Sequence, residues 1–403
     1  MQVSRLSREG LVELRAMLES YVERGVVPGA VAVVSRGNQT HIEAVGNLAL
    51  GGDTPMTPGS IFRIASVTKP ITAAAAMILI EEGKLGLDAP VDDLLPELAN
   101  RRVLRSIESE LDDTVPARRP ITTRDLLAFT SGYGFIMAMP GTYPIQRRIE
   151  ELDLASFGPP GESAHTPDEW LALLGTLPLL HQPGEQWLYN TSAYILGILI
   201  QRAAGQPFPD VLRERIFEPL GMVDTGFVVP PEKLDRLTSA YATDPESGAL
   251  ELMDAPETSL WSRPPRFPDG GGLLVSTGPD LNAFARMMLQ GGQYERQRIL
   301  SRPSVEMMMS DQLTPEVRAN SPAVPIFLGQ RSWGFGGAVV IEPDNISATT
   351  GRYGWEGGFG TTWQVDPAND MTMILLTQAM FTGPNPPPVI HDFWASAYRA
   401  IRD

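Results

Sequence analysis

Two stretches of strand-patterned sequence, residues 29–46 and 360–377, stand at opposite ends of the chain, so the sheet has to be assembled from both ends. GAVAVVSRGNQTHIEAVG sets two β-branched runs around Arg36-Gly37-Asn38, a hairpin signal. GTTWQV and MTMILLT flank DPAND in the same way. Between them helical periods dominate, in TTRDLLAFTSG, TPDEWLALLGTL, SAYILGILIQRAAG and FPDVLRERIFEPLG. Near the start, Leu11, Leu14, Met17, Leu18 and Tyr21 share one side of an amphipathic helix over residues 8–24. The pattern predicts an α+β fold, with an antiparallel sheet flanked by helices and a mostly helical second subdomain. The expected division is 1–87 and 222–403 for the α/β part and 88–221 for the helical part.

Charge and composition narrow the function. The formal charge of −16 opposes phosphate backbones and anionic membrane surfaces, so neither nucleic acid nor membrane is an expected partner. No apolar run approaches the roughly 20 residues of a membrane helix. Charges occupy the start where a secretory signal would be apolar, which makes a cytoplasmic location the expectation. The chain has no cysteine, which removes disulfides, thiolate metal sites and a cysteine nucleophile. The four histidines, His41, His165, His181 and His391, form no metal box by spacing. No Gly-x-Ser-x-Gly elbow occurs, and Gly270-Gly271-Gly272 lacks the Lys-Ser/Thr of a phosphate loop.

FRIASVTKPITAAAAM, residues 62–77, carries a different kind of signal. On a helix Ser66 and Lys69 share a face, and Pro70 fits the first turn, where backbone N–H groups lack intrahelical partners. Burial against the alanine-rich run would favour the neutral amine and make Lys69 a base for the Ser66 hydroxyl. By itself Ser-x-x-Lys is two common residues. An N-capping serine beside a snorkelling lysine is the commoner origin of the pattern.

The surrounding blocks resemble the serine β-lactamase and penicillin-binding-protein superfamily, especially class C β-lactamases and family VIII carboxylesterases. SVTK is similar to the first active-site block, and ITTRDLLAFTSG to the helix-to-loop block, with Phe129 where histidine is common. QPGEQWLYNTSAYILGILI resembles the second active-site block. EPLGMVDTGF, GGGLLVSTGPDLNAFARMMLQGG and GWEGGFGTTWQVDPANDMTMILLTQ resemble later blocks in order. The resemblance implies a β-lactamase/transpeptidase-like α/β/α sandwich. It makes Ser66 the nucleophile, Lys69 the group that takes or relays its proton, and Tyr189 the proton donor to the leaving group. The backbone N–H groups of Ser66 and Gly358 would form the oxyanion hole, Gly358 lying on an edge strand that begins at Trp355. No metal or organic cofactor is implied.

Departures from the family pattern bear on the substrate. Trp355, Glu356 and Gly357 stand where Lys or His, then Thr or a small residue, then Gly are usual, so the cation for a substrate carboxylate is missing and Glu356 could repel one. Thr191 replaces an Asn whose amide would hold an acylamido group. Both changes favour a neutral ester, and the expected activity is that of a serine carboxylesterase acting on small esters through an acyl-enzyme. The alternatives are a β-lactamase, a D-stereospecific peptidase or amidase, an acyltransferase on the same site, and a catalytically silent binding protein on the same scaffold. Residues 134–167 read as irregular, and Phe135, Met137 and Met139 are expected to wall the acyl pocket and favour short chains. Oligomeric state stays open.

Overall fold

A computed structural model describes residues 5–154, 163–343 and 348–402. Seven strands form the main sheet: Gly29–Arg36 (β1), Gln39–Gly46 (β2), Arg331–Trp333 (β3), Ala338–Val340 (β4), Tyr353–Gly357 (β5), Thr361–Asp366 (β6) and Met371–Leu376 (β7). Their order is β3-β4-β5-β6-β7-β1-β2, antiparallel at every pairing. The two chain ends meet where β7 pairs with β1, Ile374 opposite Val33 and Leu376 opposite Val31.

Strand alternation separates the two faces of the sheet. Ala30, Ala32 and Val34 of β1 and Met371, Met373 and Leu375 of β7 pack with Leu14, Leu18 and Tyr21 of helix Arg8–Glu23 (α1). Phe393 and Trp394 of the C-terminal helix Pro388–Arg399 complete that layer. Val31, Val33, Ile374 and Leu376 face the opposite core, together with Leu281, Phe284 and Met288 of helix Gly278–Leu289. The result is the expected α/β/α sandwich.

Within that second core runs helix Thr68–Glu81 (α2), whose residues from Thr68 to Leu79 are all buried. Four successive alanines, Ala73–Ala76, keep its girth small where other elements press against it. At Gly336 a Cβ would collide with Ala73 and with the Lys69 carbonyl. Helix Thr191–Ala204 (α3) packs beside α2. Residues 88–221 contribute helices and a two-stranded ribbon, Arg102–Leu104 with Thr114–Pro116, and no strand of the main sheet among the described residues.

Two expectations are corrected. Residues 134–167 are not uniformly irregular, because Pro144–Glu151 is a helix, started by a proline in its first turn and by the Gln146 side chain, whose Oε1 accepts from Tyr143 N at 3.0 Å. Residues 155–162 of that stretch lie outside the described residues. The strand bearing Trp355 begins at Tyr353 and is interior, lying between β4 and β6; β3 and β2 are the edges. No helix among the described residues is long and apolar enough to cross a membrane.

Candidate active site

Ser66 lies in a 3-10 turn, Ala65–Val67, that feeds directly into α2. Val67 takes the N-cap position and no side chain caps the helix, so Ser66 is not the capping serine that its motif alone would suggest. Its Oγ lies 2.9 Å from Lys69 Nζ and 3.0 Å from Tyr189 Oη.

Lys69 does not snorkel. It is 2% exposed, and Nζ also donates to the Gly271 carbonyl at 2.7 Å. Burial pushes its pKa from 10.5 down to about 7, against the opposing pull of nearby Asp269. The amine therefore holds or releases its proton near neutrality. Tyr189 moves the other way: burial drives its phenol up to about 12, while its hydrogen bonds with Ser66 and Trp355 resist the rise. Trp355 Nε1 donates to Tyr189 Oη at 2.8 Å, and the Lys69 ammonium position lies 4.8 Å from the Tyr189 ring centroid. A hydroxyl with one neutralisable amine and one phenol in reach can lose its proton to the first while the second guides a proton to a leaving group.

Strained backbone flanks both groups. Ala65, just before Ser66, has φ 44°, and Asn190, just after Tyr189, has φ 82° and ψ −58°. Asn190 centres a γ-turn in which Thr191 N donates to the Tyr189 carbonyl at 3.2 Å. This conformation lets α3 start immediately while the tyrosine points back at Ser66, at a cost of order 1–3 kcal/mol. The rings of Phe129, Trp187, Phe327 and Trp333 pack behind Tyr189, with Phe327 stacked on it at 4.8 Å. Phe129 thus fills the place of the expected histidine as a packing residue.

Ser66 and Tyr189 open on a cavity of about 610 Å³ whose wall also includes Trp355, Glu356 and Gly358. Gly358 follows β5 directly, placing it beside the Ser66 turn. Gly357 is not on the wall; a Cβ there would collide with the Ile64 carbonyl, so its role is to let β5 close against the serine turn. Trp355 and Glu356 alternate as strand neighbours should. The indole turns to Tyr189, whereas the Glu356 carboxylate is held by Arg331 Nη1 at 2.8 and 3.0 Å and by Gln364 Nε2 at 3.0 Å. The expected repulsion of a substrate carboxylate by a free Glu356 is corrected: its charge is matched by Arg331, which also lies over the Trp355 ring at 5.2 Å.

Other expected residues sit elsewhere. Thr191 is buried in the first turn of α3 and off the cavity wall, while Asn190, one residue earlier, lines the cavity with its Nδ2 donating to Tyr194 Oη at 3.1 Å. An amide is therefore present at this point of the wall. Phe135 lies edge-on against Phe327 and is not on the wall. Met137 and Met139 are 39% and 78% exposed and also lie off it. The stretch that was expected to wall the pocket supplies Asp153 and Ser163 instead.

Sequence reasoning missed most of the apolar wall: Phe227, Trp261, Phe267, Phe327, Phe359 and Phe381. It also missed Asp269, which sits in the PDGGG run read above only as a failed phosphate loop. An acid directly before three glycines was the available signal.

The comparisons with known proteins bear on family and fold. The model of the family described as Beta-lactamase matches residues 14–390. Protein Rv1367c of Mycobacterium tuberculosis is 36% identical over 372 residues, covering 90% of this chain and 89% of that protein. Esterase EstB of Burkholderia gladioli is 29% identical over 399 residues, covering 94% and 92%. The solved structure of EstCE1, a hydrolase with promiscuous acyltransferase activity, superposes with a TM-score of 0.78 at 25% identity, covering 97% of this chain and 99% of that one. The chain belongs to the beta-lactamase family, a fold family of serine hydrolases that includes esterases and acyltransferases.

Proposed function

We infer that the protein is a serine carboxylesterase of the family VIII type, with Ser66 as nucleophile. The observation that carries this reading is the Ser66 hydroxyl set between Lys69 Nζ and Tyr189 Oη at 2.9 and 3.0 Å, on the floor of an apolar cavity. Neutral Lys69 takes the hydroxyl proton as Ser66 Oγ bonds to the ester carbonyl carbon. The Ser66 and Gly358 N–H groups receive the developing oxyanion, each donor being worth roughly 3 kcal/mol in the barrier. As the C–O bond to the alcohol breaks, the proton passes through Tyr189 to the leaving oxygen. Water then attacks the acyl carbon, gives its proton back through the same pair, and releases the acid and free Ser66.

A neutral ester suits the third block. Trp355 presents an indole where a carboxylate-binding cation is usual, and Arg331 is engaged by Glu356. The size and aromatic lining of the cavity favour a bulky apolar acyl or alcohol part over the short chains expected from residues 134–167. Acyl transfer is the second reading: the same room that admits a bulky ester admits an acceptor alcohol in place of water, and EstCE1 is described with both activities.

The test is a panel of p-nitrophenyl esters of increasing bulk beside a chromogenic cephalosporin, with and without an acceptor alcohol. Expected is turnover of esters, bulky acyl groups included, with the cephalosporin far slower. Cephalosporin hydrolysis matching the best ester would overturn the assignment, and ester product carrying the acceptor alcohol as the main outcome would move it to acyl transfer.

A further inference from the structure

The loop Asp269–Gly272 threads between α2 and α3 directly beneath the site. Thr72 Oγ1 of α2 donates to the Gly270 carbonyl at 2.8 Å, and a Cβ on Gly270 would collide with the Ala193 carbonyl of α3. One peptide further on, the Gly271 carbonyl receives Lys69 Nζ. The N–H of the same residue, together with that of Gly272, donates to Asp269 Oδ1 at 2.7 and 2.8 Å. Gly271 is thus clamped on one side by the lysine and on the other by the acid, with the Tyr194 ring and the Asn190 amide against it.

Holding two N–H groups does not require a charge. An asparagine at this place would accept the same two bonds through its carbonyl oxygen, without taking an anion into a site that is 8% exposed. What a carboxylate adds is a field on its neighbours, and the buried cation it faces is Lys69. From α3, Tyr194 faces Asp269, with Tyr189 close by. The other charged groups of the cavity wall are Asp153, Arg263 and Glu356, the last held by Arg331. Arg266, on the neighbouring stretch, pairs outward with Glu169.

We propose that Asp269 is a positioning residue for Lys69: through the Gly271 peptide it fixes where the amine sits, and through its charge it sets the pH at which the amine becomes a base. Burial raises the carboxyl to about 6, and Lys69 lies at about 7, so the pair passes through three charge states across a narrow range. Below that range both are protonated. Within it the anion holds the ammonium, and above it neutral Lys69 stands beside an anion. The carboxylate makes Lys69 a stronger base than burial alone would leave it, and confines full activity to the alkaline side.

This inference rests on the reading of Lys69 as the base for Ser66, and the experiment separates the two. Labelling of Ser66 by a serine-reactive phosphonate in the unmodified protein, at a rate that rises with pH through a limb near 7, tests that reading; labelling elsewhere, no labelling, or a rate flat through neutrality overturns it. With labelling at Ser66 established, the pH dependence of its rate is compared in the unmodified protein and in Asp269→Asn. The variant keeps an acceptor for Gly271 and Gly272 and loses the charge, so its acidic limb should move down by about one pH unit, giving faster labelling than the unmodified protein on the acid side. Superimposed limbs would overturn the proposal. The unmodified protein supplies a second measurement that does not depend on the variant folding. The chain has three lysines, Lys69, Lys84 and Lys233, so Cε-labelled lysine gives three resonances. That of Lys69 should titrate in two steps, its own and that of Asp269; a single step would overturn the coupling.

Discussion

Replacing Trp355 by Phe removes one hydrogen bond from the proton machinery and leaves most of the ring in place. In the structure the indole N–H meets Tyr189 Oη at 2.8 Å, in a site where both side chains are buried. As a proton passes through Tyr189 its oxygen gains negative charge, and the indole bond strengthens with that charge. Hydrogen bonds to charged groups contribute about 1.5–3 kcal/mol, which at about 1.4 kcal/mol per tenfold corresponds to a fall in kcat of roughly 10- to 150-fold. KM for a neutral ester should change little, because the substituted ring still covers the same part of the wall. Losing the larger ring leaves a void against Trp333, whose ring centroid lies 4.8 Å away. That void costs about 1–2 kcal/mol of stability and lowers the melting temperature without unfolding the chain. Steady-state kinetics on one p-nitrophenyl ester, beside thermal unfolding of the same samples, reads both effects. A kcat within threefold of the unmodified enzyme, with the melting temperature lowered as expected, would refute the role given to the indole N–H.

Four further outcomes follow from the site. Ser66→Ala should abolish ester turnover and phosphonate labelling with little change in melting temperature, since no helix cap is lost; a phosphonate adduct persisting on the variant would move the nucleophile elsewhere. The rate constant kcat/KM should rise with pH through a limb near 7, the pH at which buried Lys69 loses its proton; a pH profile flat through neutrality would contradict the assignment of the base. Between about 7 and 10.5 the unfolded chain holds a proton on Lys69 that the folded chain does not, so the contribution of this side chain to stability rises with pH across that window. Lys69→Met should flatten that part of the stability profile, measured as urea midpoints at either end of the window. Arg331→Ala should cost about 3–5 kcal/mol in urea unfolding, because it strands the buried Glu356 carboxylate; a loss below about 1 kcal/mol would mean that Gln364 alone satisfies it.

The fold was legible because its signals are local. Each hairpin carries its own turn and its own alternation, and Ala30 to Val34 sort onto two faces as period two requires. The helix Pro144–Glu151 escaped because prolines at 140 and 144 read as breakers, although Pro144 sits where a proline starts a helix. The interior position of the Trp355 strand was not readable either. Strand order comes from long-range pairing, and nothing within residues 353–357 states how many neighbours they have.

The site divides along the same line. Ser66, Lys69 and Tyr189 lie in short blocks whose spacing survives in the sequence. The residues that tune them come from distant loops, such as Asp269, or from backbone geometry, as at Asn190. Glu356 shows the difference most plainly. Read along the chain it is an acid next to Trp355 in a substrate-binding block, and a substrate carboxylate should avoid it. In the fold, one step of strand alternation turns it away from Tyr189 and onto Arg331, which β3 brings within 2.8 Å. The proposed preference for a neutral substrate then has one of the two bases that the sequence offers at this block, the lost cation without the added acid. It rests on the absence of a cation in the place occupied by the Trp355 indole, and on an arginine nearby whose charge is already matched. Discrimination by a missing attraction is weaker than discrimination by repulsion. Slow turnover of carboxylated substrates is therefore compatible with this site, and a cation in place of Trp355 is the change that should raise it.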